Sequence, residues 1–139
     1  GLGMAIIFIT HDLGVVAQVA RRVVVMYAGQ VVESGPVEEI FSRPRMPYTA
    51  GLIASIPRLG SSKRGQRLRT IPGHVPSLAE QHEGCRFVTR CAHAESQCRE
   101  TPPPLEQISE GHEVRCLRWR DYPSRKRVDT TRRRRTCDG

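Results

Sequence analysis

Two sets of residues in this 139-residue chain have types and spacing suited to chemistry. The first is His11, which closes the stretch Ala5-Ile6-Ile7-Phe8-Ile9-Thr10-His11-Asp12. In open α/β sheets ligands gather outside the carboxyl ends of the strands. A histidine ring delivered to such an end can exchange a proton or donate a hydrogen bond to a bound group. Taken alone, though, a histidine after a strand is more often an ordinary loop residue. The second set is Cys85, Cys91, Cys98 and Cys116, spaced C-x5-C-x6-C-x17-C. Two disulfides, a zinc ion and an iron–sulfur cube are the chemistries open to four cysteines, with inert free thiols as the plain alternative. Nothing in the sequence marks a secreted chain, which argues against disulfides. Zinc sites usually show a C-x2-4-C knuckle, which is absent, and four wider-spaced thiolates suit the broader cube. Spacing alone leaves zinc and iron level.

These residues need elements to hold them. The run Ala5–Ile9 is apolar without alternation, which predicts a strand buried on both faces and therefore a parallel sheet. After His11, the spacing of Leu13, Val16, Ala17 and Ala20 predicts a short helix, with Asp12 as an acid suited to its positive end. Val23 to Ala28 reads as a strand and Ala28-Gly29-Gln30 as a tight turn. Gln30 to Gly35 then makes a return strand, giving a hairpin at the sheet margin. Pro36 fits the first position of a helix over "PVEEIF", and a last helix is expected near Tyr48 to Ser55. The whole is an α/β expectation: parallel strand, helix, hairpin and helices.

From Gly60 onward the character changes. We divide the chain into 1–59, a linker at 60–70, a segment at 71–122 rich in proline and cysteine, and a basic tail at 123–139. The third piece has too few apolar runs to build a core unaided, and such segments usually need a covalent or metal staple. The formal net charge of +8 is concentrated in the tail: Ser124 to Gly139 carries seven basic and two acidic residues. A run of four arginines without aromatics is expected to be disordered and solvated, touching anionic lipid sooner than stacking on bases. Cys137 lies there, outside the four-cysteine pattern. No apolar run approaches the roughly 18 residues of a transmembrane helix. The chain opens at Gly1 straight into the apolar run, without a start methionine or leader, and is read as a piece of a longer protein.

The stretches "IIFITHDLGVVAQVARRVVVMYAGQVVESG" and "PVEEIFSRPRMPYTAGLIASIPRL" resemble the last third of the ATP-binding subunits of oligopeptide/dipeptide ABC importers. The resemblance covers about residues 4 to 121. It implies the rear of a P-loop-type nucleotide-binding domain followed by a four-cysteine C-terminal extension. By the same resemblance His11 is the switch histidine that contacts the γ-phosphate of ATP, with Mg2+ supplied elsewhere in the domain. A ring donor suits that position, because phosphoryl transfer spreads charge over the departing oxygens. The GxxxxGK[ST] loop, the LSGGQ-type signature and the acidic strand that carries the magnesium ligand are not in this sequence, so a complete nucleotide site is not expected from these residues alone.

The resemblance also assigns Cys85, Cys91, Cys98 and Cys116 to a [4Fe-4S] cluster, with Zn2+ as the alternative, in a structural role. Lone histidines such as His93 and His112 are read as polar loop residues. Met46 stands where the family usually has histidine in His-Pro-Tyr-Thr and is given a packing role, with Tyr48 against the sheet margin. Thr89 stands where proline is common. The resemblance implies a subunit peripheral to the cytoplasmic face of the membrane that couples ATP hydrolysis to uptake of di- or oligopeptides, or of a related solute such as nickel. Its implied partners are two permease subunits, a second ATPase subunit and an extracytoplasmic solute-binding protein; no specific nucleic acid is expected. The competing class is a non-enzymatic metal-binding module whose basic tail contacts nucleic acid.

Overall fold

The computed structural model describes residues 3–56, 70–80 and 83–122. Helix α1 (Leu13–Val19) starts where Asp12 acts as N-cap, its carboxylate accepting the Val15 N–H at 3.1 Å. Asp12 is therefore the cap itself and not a first-turn acid, and it satisfies one of the orphan donors of the helix start. Strands β1 (Arg22–Tyr27) and β2 (Gln30–Pro36) form the expected hairpin. Its two-residue loop, Ala28-Gly29, has φ of 46° and 77°. Two successive positive φ values match the right-handed twist of the flanking strands, and glycine accepts this readily while alanine does so under strain. The turn is held from outside by the Arg86 guanidinium, which donates to the Ala28 carbonyl.

Pro36 ends β2 and caps α2 (Val37–Ser42), one position earlier than the sequence suggested. Its missing N–H costs nothing in either place. Helix α3 (Pro47–Ala54) has Pro47 in its first turn, and its N-cap is Met46, whose thioether sulfur accepts the Tyr48 N–H at 3.2 Å.

Two expectations are corrected. The sheet is antiparallel, not parallel, with order β1-β2-β4-β3, and its other two strands come from the cysteine-bearing segment: β3 (Glu106–Ser109) and β4 (His112–Val114). The hairpin is thus marginal only through β1, since β4 pairs with the outer side of β2 through Glu33↔Val114 and Ser34↔Glu113. The run Ala5–Ile9 forms no strand, and Ile7 and Ile9 are 90% and 98% exposed. A doubly buried strand needs hydrogen-bonding neighbours and covering layers; among the described residues nothing pairs with this run.

One core serves both halves. Val23, Val25 and Tyr27 of β1 and Val32 of β2 pack with Ile40, Met46, Phe87 and Val114. Each such side chain contributes roughly 1.5–3 kcal/mol when fully buried. Tyr48 packs tilted against Tyr27, at 4.7 Å between ring centroids, and against Phe87 at 5.4 Å, the packing role foreseen for it. The segment Thr70 to Ser77 is non-helical, in line with its prolines, before a 3-10 turn at Leu78–Glu80. It is tied down by Arg90, which donates to the carbonyls of Ile71 at 3.0 Å and Pro72 at 2.9 Å. Most of the 60–70 linker and all of the basic tail, with Cys137, lie outside the described residues.

Candidate functional site

The four cysteines meet at one half-open cavity. Its wall is completed by Met46, Pro47, Phe87, Val88 and Leu117, with His93, Arg118, Asp121 and Tyr122 also lining it. All four are free thiols. Local structure explains the convergence. Cys85 is drawn against Cys98 by a backbone bond from its N–H to the Cys98 carbonyl, 2.8 Å. That approach requires Gly84, where a Cβ would overlap the carbonyl oxygens of Cys98 and Arg99. Cys91 follows the 3-10 turn Val88–Arg90, and Cys98 lies within α4 (Ser96–Glu100). Cys116 comes two residues after β4, so the sheet register sets its position.

Three of the sulfurs share a second feature. Cys85, Cys91 and Cys116 each receive a backbone N–H from the residue two places on, namely Phe87, His93 and Arg118. Burial pushes all three thiols above their ordinary pKa, Cys116 to about 11, and those N–H donors offset part of the rise. N–H donors aimed at sulfur favour the thiolate, the form that binds metal. Among the described residues no three His, Cys, Asp or Glu side chains converge closely enough to hold a metal ion.

His11 stands apart from this cavity. It is exposed in the bend before α1, where Thr10 Oγ1 accepts the Asp12 N–H at 3.0 Å and Asp12 caps the helix. The backbone on its C-terminal side is fixed while the ring faces outward.

A buried pair escaped the sequence reading. His112, taken there for a polar loop residue, is buried in β4, and its Nε2 lies 2.8 Å from Oε1 of Glu33, itself fully buried. The same carboxylate accepts the N–H groups of Arg45 at 2.8 Å and Met46 at 3.1 Å. Because Oε1 already accepts the Arg45 N–H, the contact suits the tautomer with its proton on Nε2. The two residues are far apart in sequence, and only the polar residue within the otherwise apolar stretch Val31-Val32-Glu33 hinted at a partner.

Residues 32–98 match the family described as "Oligopeptide/dipeptide transporter, C-terminal region". That stretch, a little under half of the chain, is similar to this transporter region. A Brucella ovis protein named as a peptide import ATP-binding protein is 54% identical over 123 residues, which is 86% of this chain and 36% of that protein. The Mycobacterium tuberculosis oligopeptide transport ATP-binding protein OppD is 44% identical over 130 residues, 94% of this chain and 21% of its own. The chain therefore spans about a third or less of the length of these curated relatives. The matched region takes in most of β2, α2, α3, Cys85, Cys91 and Cys98, while β4 and Cys116 fall beyond it. No helix among the described residues is long and apolar enough to cross a membrane.

Proposed function

We propose that the chain is the C-terminal part of the ATP-binding subunit of an importer that couples ATP hydrolysis to uptake of di- or oligopeptides, or of a related solute such as nickel. Its similarity to peptide-import ATP-binding proteins along 86–94% of its length carries this reading. In it, residues 1–59 close the rear of the nucleotide-binding domain and 71–122 form the extension. His11 donates a ring hydrogen bond to the γ-phosphate of Mg2+-bound ATP, and its exposed placement ahead of a capped helix fits that task. The partners are two permease subunits, a second ATPase subunit and an extracytoplasmic solute-binding protein, with the subunit seated on the cytoplasmic face of the membrane. Reconstituted with its permeases in liposomes, the full-length protein is expected to drive ATP-dependent accumulation of a labelled short peptide. Accumulation of neither peptide nor nickel overturns the reading.

Cys85, Cys91, Cys98 and Cys116 hold a [4Fe-4S] cluster in this proposal. The shared cavity and the N–H donors on three sulfurs support it. The cluster would cross-link loops that bury little apolar surface, which is a folding role. Because burial holds the metal-free Cys85, Cys91 and Cys116 thiols protonated, loading releases protons and is favoured as pH rises. Anaerobically purified full-length protein is expected to be brown, with about four iron and four sulfide per chain. Cys85→Ser, Cys91→Ser and Cys116→Ser should each lose most of that iron. Colourless protein with stoichiometric zinc would overturn the assignment.

A further inference from the structure

We propose that Cys85 and Cys98 are a disulfide-forming pair, which a small disulfide such as glutathione disulfide oxidises to a bond that closes residues 85–98 into a loop. The proposal concerns the metal-free chain and does not rest on which group the four cysteines hold. Its ground is backbone geometry. The Cys85 N–H donates to the Cys98 carbonyl at 2.8 Å, and among the described residues no other two of the four cysteines share a backbone bond. With ordinary bond lengths on either side of it, that contact keeps the two Cα atoms at most about 6.7 Å apart. Disulfides span Cα separations of roughly 4.4–6.8 Å. Both side chains line the same cavity, so they face a common space, and both are half-buried free thiols.

The surroundings hold this approach in place. Gly84 lets the chain lie against the carbonyls of Cys98 and Arg99, where a Cβ would overlap them. Between the two cysteines, Phe87 and Val88 are buried, and Arg90 is fastened to the carbonyls of Ile71 and Pro72. Farther along, Arg118 holds the His93 carbonyl at 3.2 Å and the Glu95 carboxylate at 2.8 Å. The loop is therefore already shaped before any bond forms across its ends.

The chemistry is thiol–disulfide exchange. One cysteine, as thiolate, attacks the small disulfide, breaks its S–S bond and releases one small thiol, leaving a mixed disulfide on the protein. The second cysteine attacks the protein sulfur of that intermediate, forms the Cys85–Cys98 bond and releases the second small thiol. The pair gives up two electrons and two protons, and the small disulfide takes up both. Two of the four thiols are then withdrawn from the cavity. On the cytoplasmic side proposed for this subunit, such a bond is transient and reports oxidising conditions.

The test uses full-length protein, reduced and freed of metal with a chelator, then exposed to glutathione disulfide and quenched by alkylation. Trypsin cuts after Arg86, Arg90, Arg99 and Arg115, and a glutamate-specific protease after Glu95, so mass spectrometry finds each of the four cysteines on its own peptide. Cys85 is expected joined to Cys98. Cys91→Ser and Cys116→Ser should leave that linkage at its wild-type yield, whereas Cys85→Ser and Cys98→Ser abolish it and leave the remaining partner bound to glutathione. An unfolded chain favours the shorter loops Cys85–Cys91 and Cys91–Cys98, since closure costs more as a loop lengthens, and oxidation in guanidinium supplies that pattern for reference. Predominance of either shorter loop without denaturant, pairing of Cys85 or Cys98 with Cys116, or glutathione adducts without a Cys85–Cys98 bond overturns the proposal. The iron content of the protein as purified decides the cluster reading separately, and a colourless preparation leaves this pair to stand or fall by its own linkage.

Discussion

His112→Ala is expected to destabilise the protein by about 1–3 kcal/mol, the range for leaving a buried polar group short of its hydrogen-bond partner. The penalty does not come from the pair's own attraction, much of which is spent offsetting desolvation. It comes from what stays behind, a Glu33 side chain with no solvent exposure and no imidazole facing it. Two backbone N–H groups, of Arg45 and Met46, still reach Glu33, which keeps the loss at the lower part of that range. Glu33→Ala should cost a comparable amount by a different route, since it strands those two N–H groups and the His112 donor in the interior. The double variant should cost clearly less than the two losses added together, because the partners are in direct contact. Urea denaturation of the three variants checks this. A loss below about 1 kcal/mol for His112→Ala, within the range of an ordinary hydrogen bond, would mean that the pair does not clamp β4 onto β2.

The second large effect concerns catalysis. Under the proposed function, His11→Ala in the full-length protein is expected to lower ATP turnover by about 10²–10³-fold, the usual consequence of deleting one donor aimed at transition-state charge. ATP affinity should fall much less, because a donor tuned to departing-phosphate charge contributes little to the ground state. His11→Gln, which keeps a donor of shorter reach, should recover part of the loss. The fold is not at risk in either variant: His11 is exposed, and Asp12 and Thr10 secure the start of α1 without it. Unchanged turnover in His11→Ala would remove the residue from the nucleotide site.

How much of this was legible beforehand depended on how local each feature is. The β1–β2 hairpin was readable because Ala28-Gly29 and the flanking valines lie within a few residues of one another. Helices α1, α2 and α3 were readable for the same reason, with errors of a residue or so at Asp12 and Pro36. Strands β3 and β4 were overlooked, since each is short and half polar. Their signal was Glu110-Gly111, a two-residue loop in which Gly111 has φ of 68°. The apolar run Ala5–Ile9 misled in the other direction. Its composition states a preference for burial between neighbouring strands, and the described residues supply none. Among the candidate site residues, the cysteine spacing announced a shared purpose, but their actual meeting depends on Gly84 and on the register of β4. The Glu33–His112 contact had a single local hint, the polar Glu33 beside Val31 and Val32, and nothing that pointed to His112.

The lodging of β4 between β2 and β3 makes the cysteine-bearing segment a poor candidate for modular exchange. A chimaera that borrowed residues 71–122 from a relative would import a histidine, or whatever stands at position 112, facing a carboxylate encoded some eighty positions earlier. Donor and recipient would have to agree at both places, as well as at the Ala28 carbonyl that receives Arg86. Drift at position 33 is thereby answerable to position 112, and the two segments can diversify only in step.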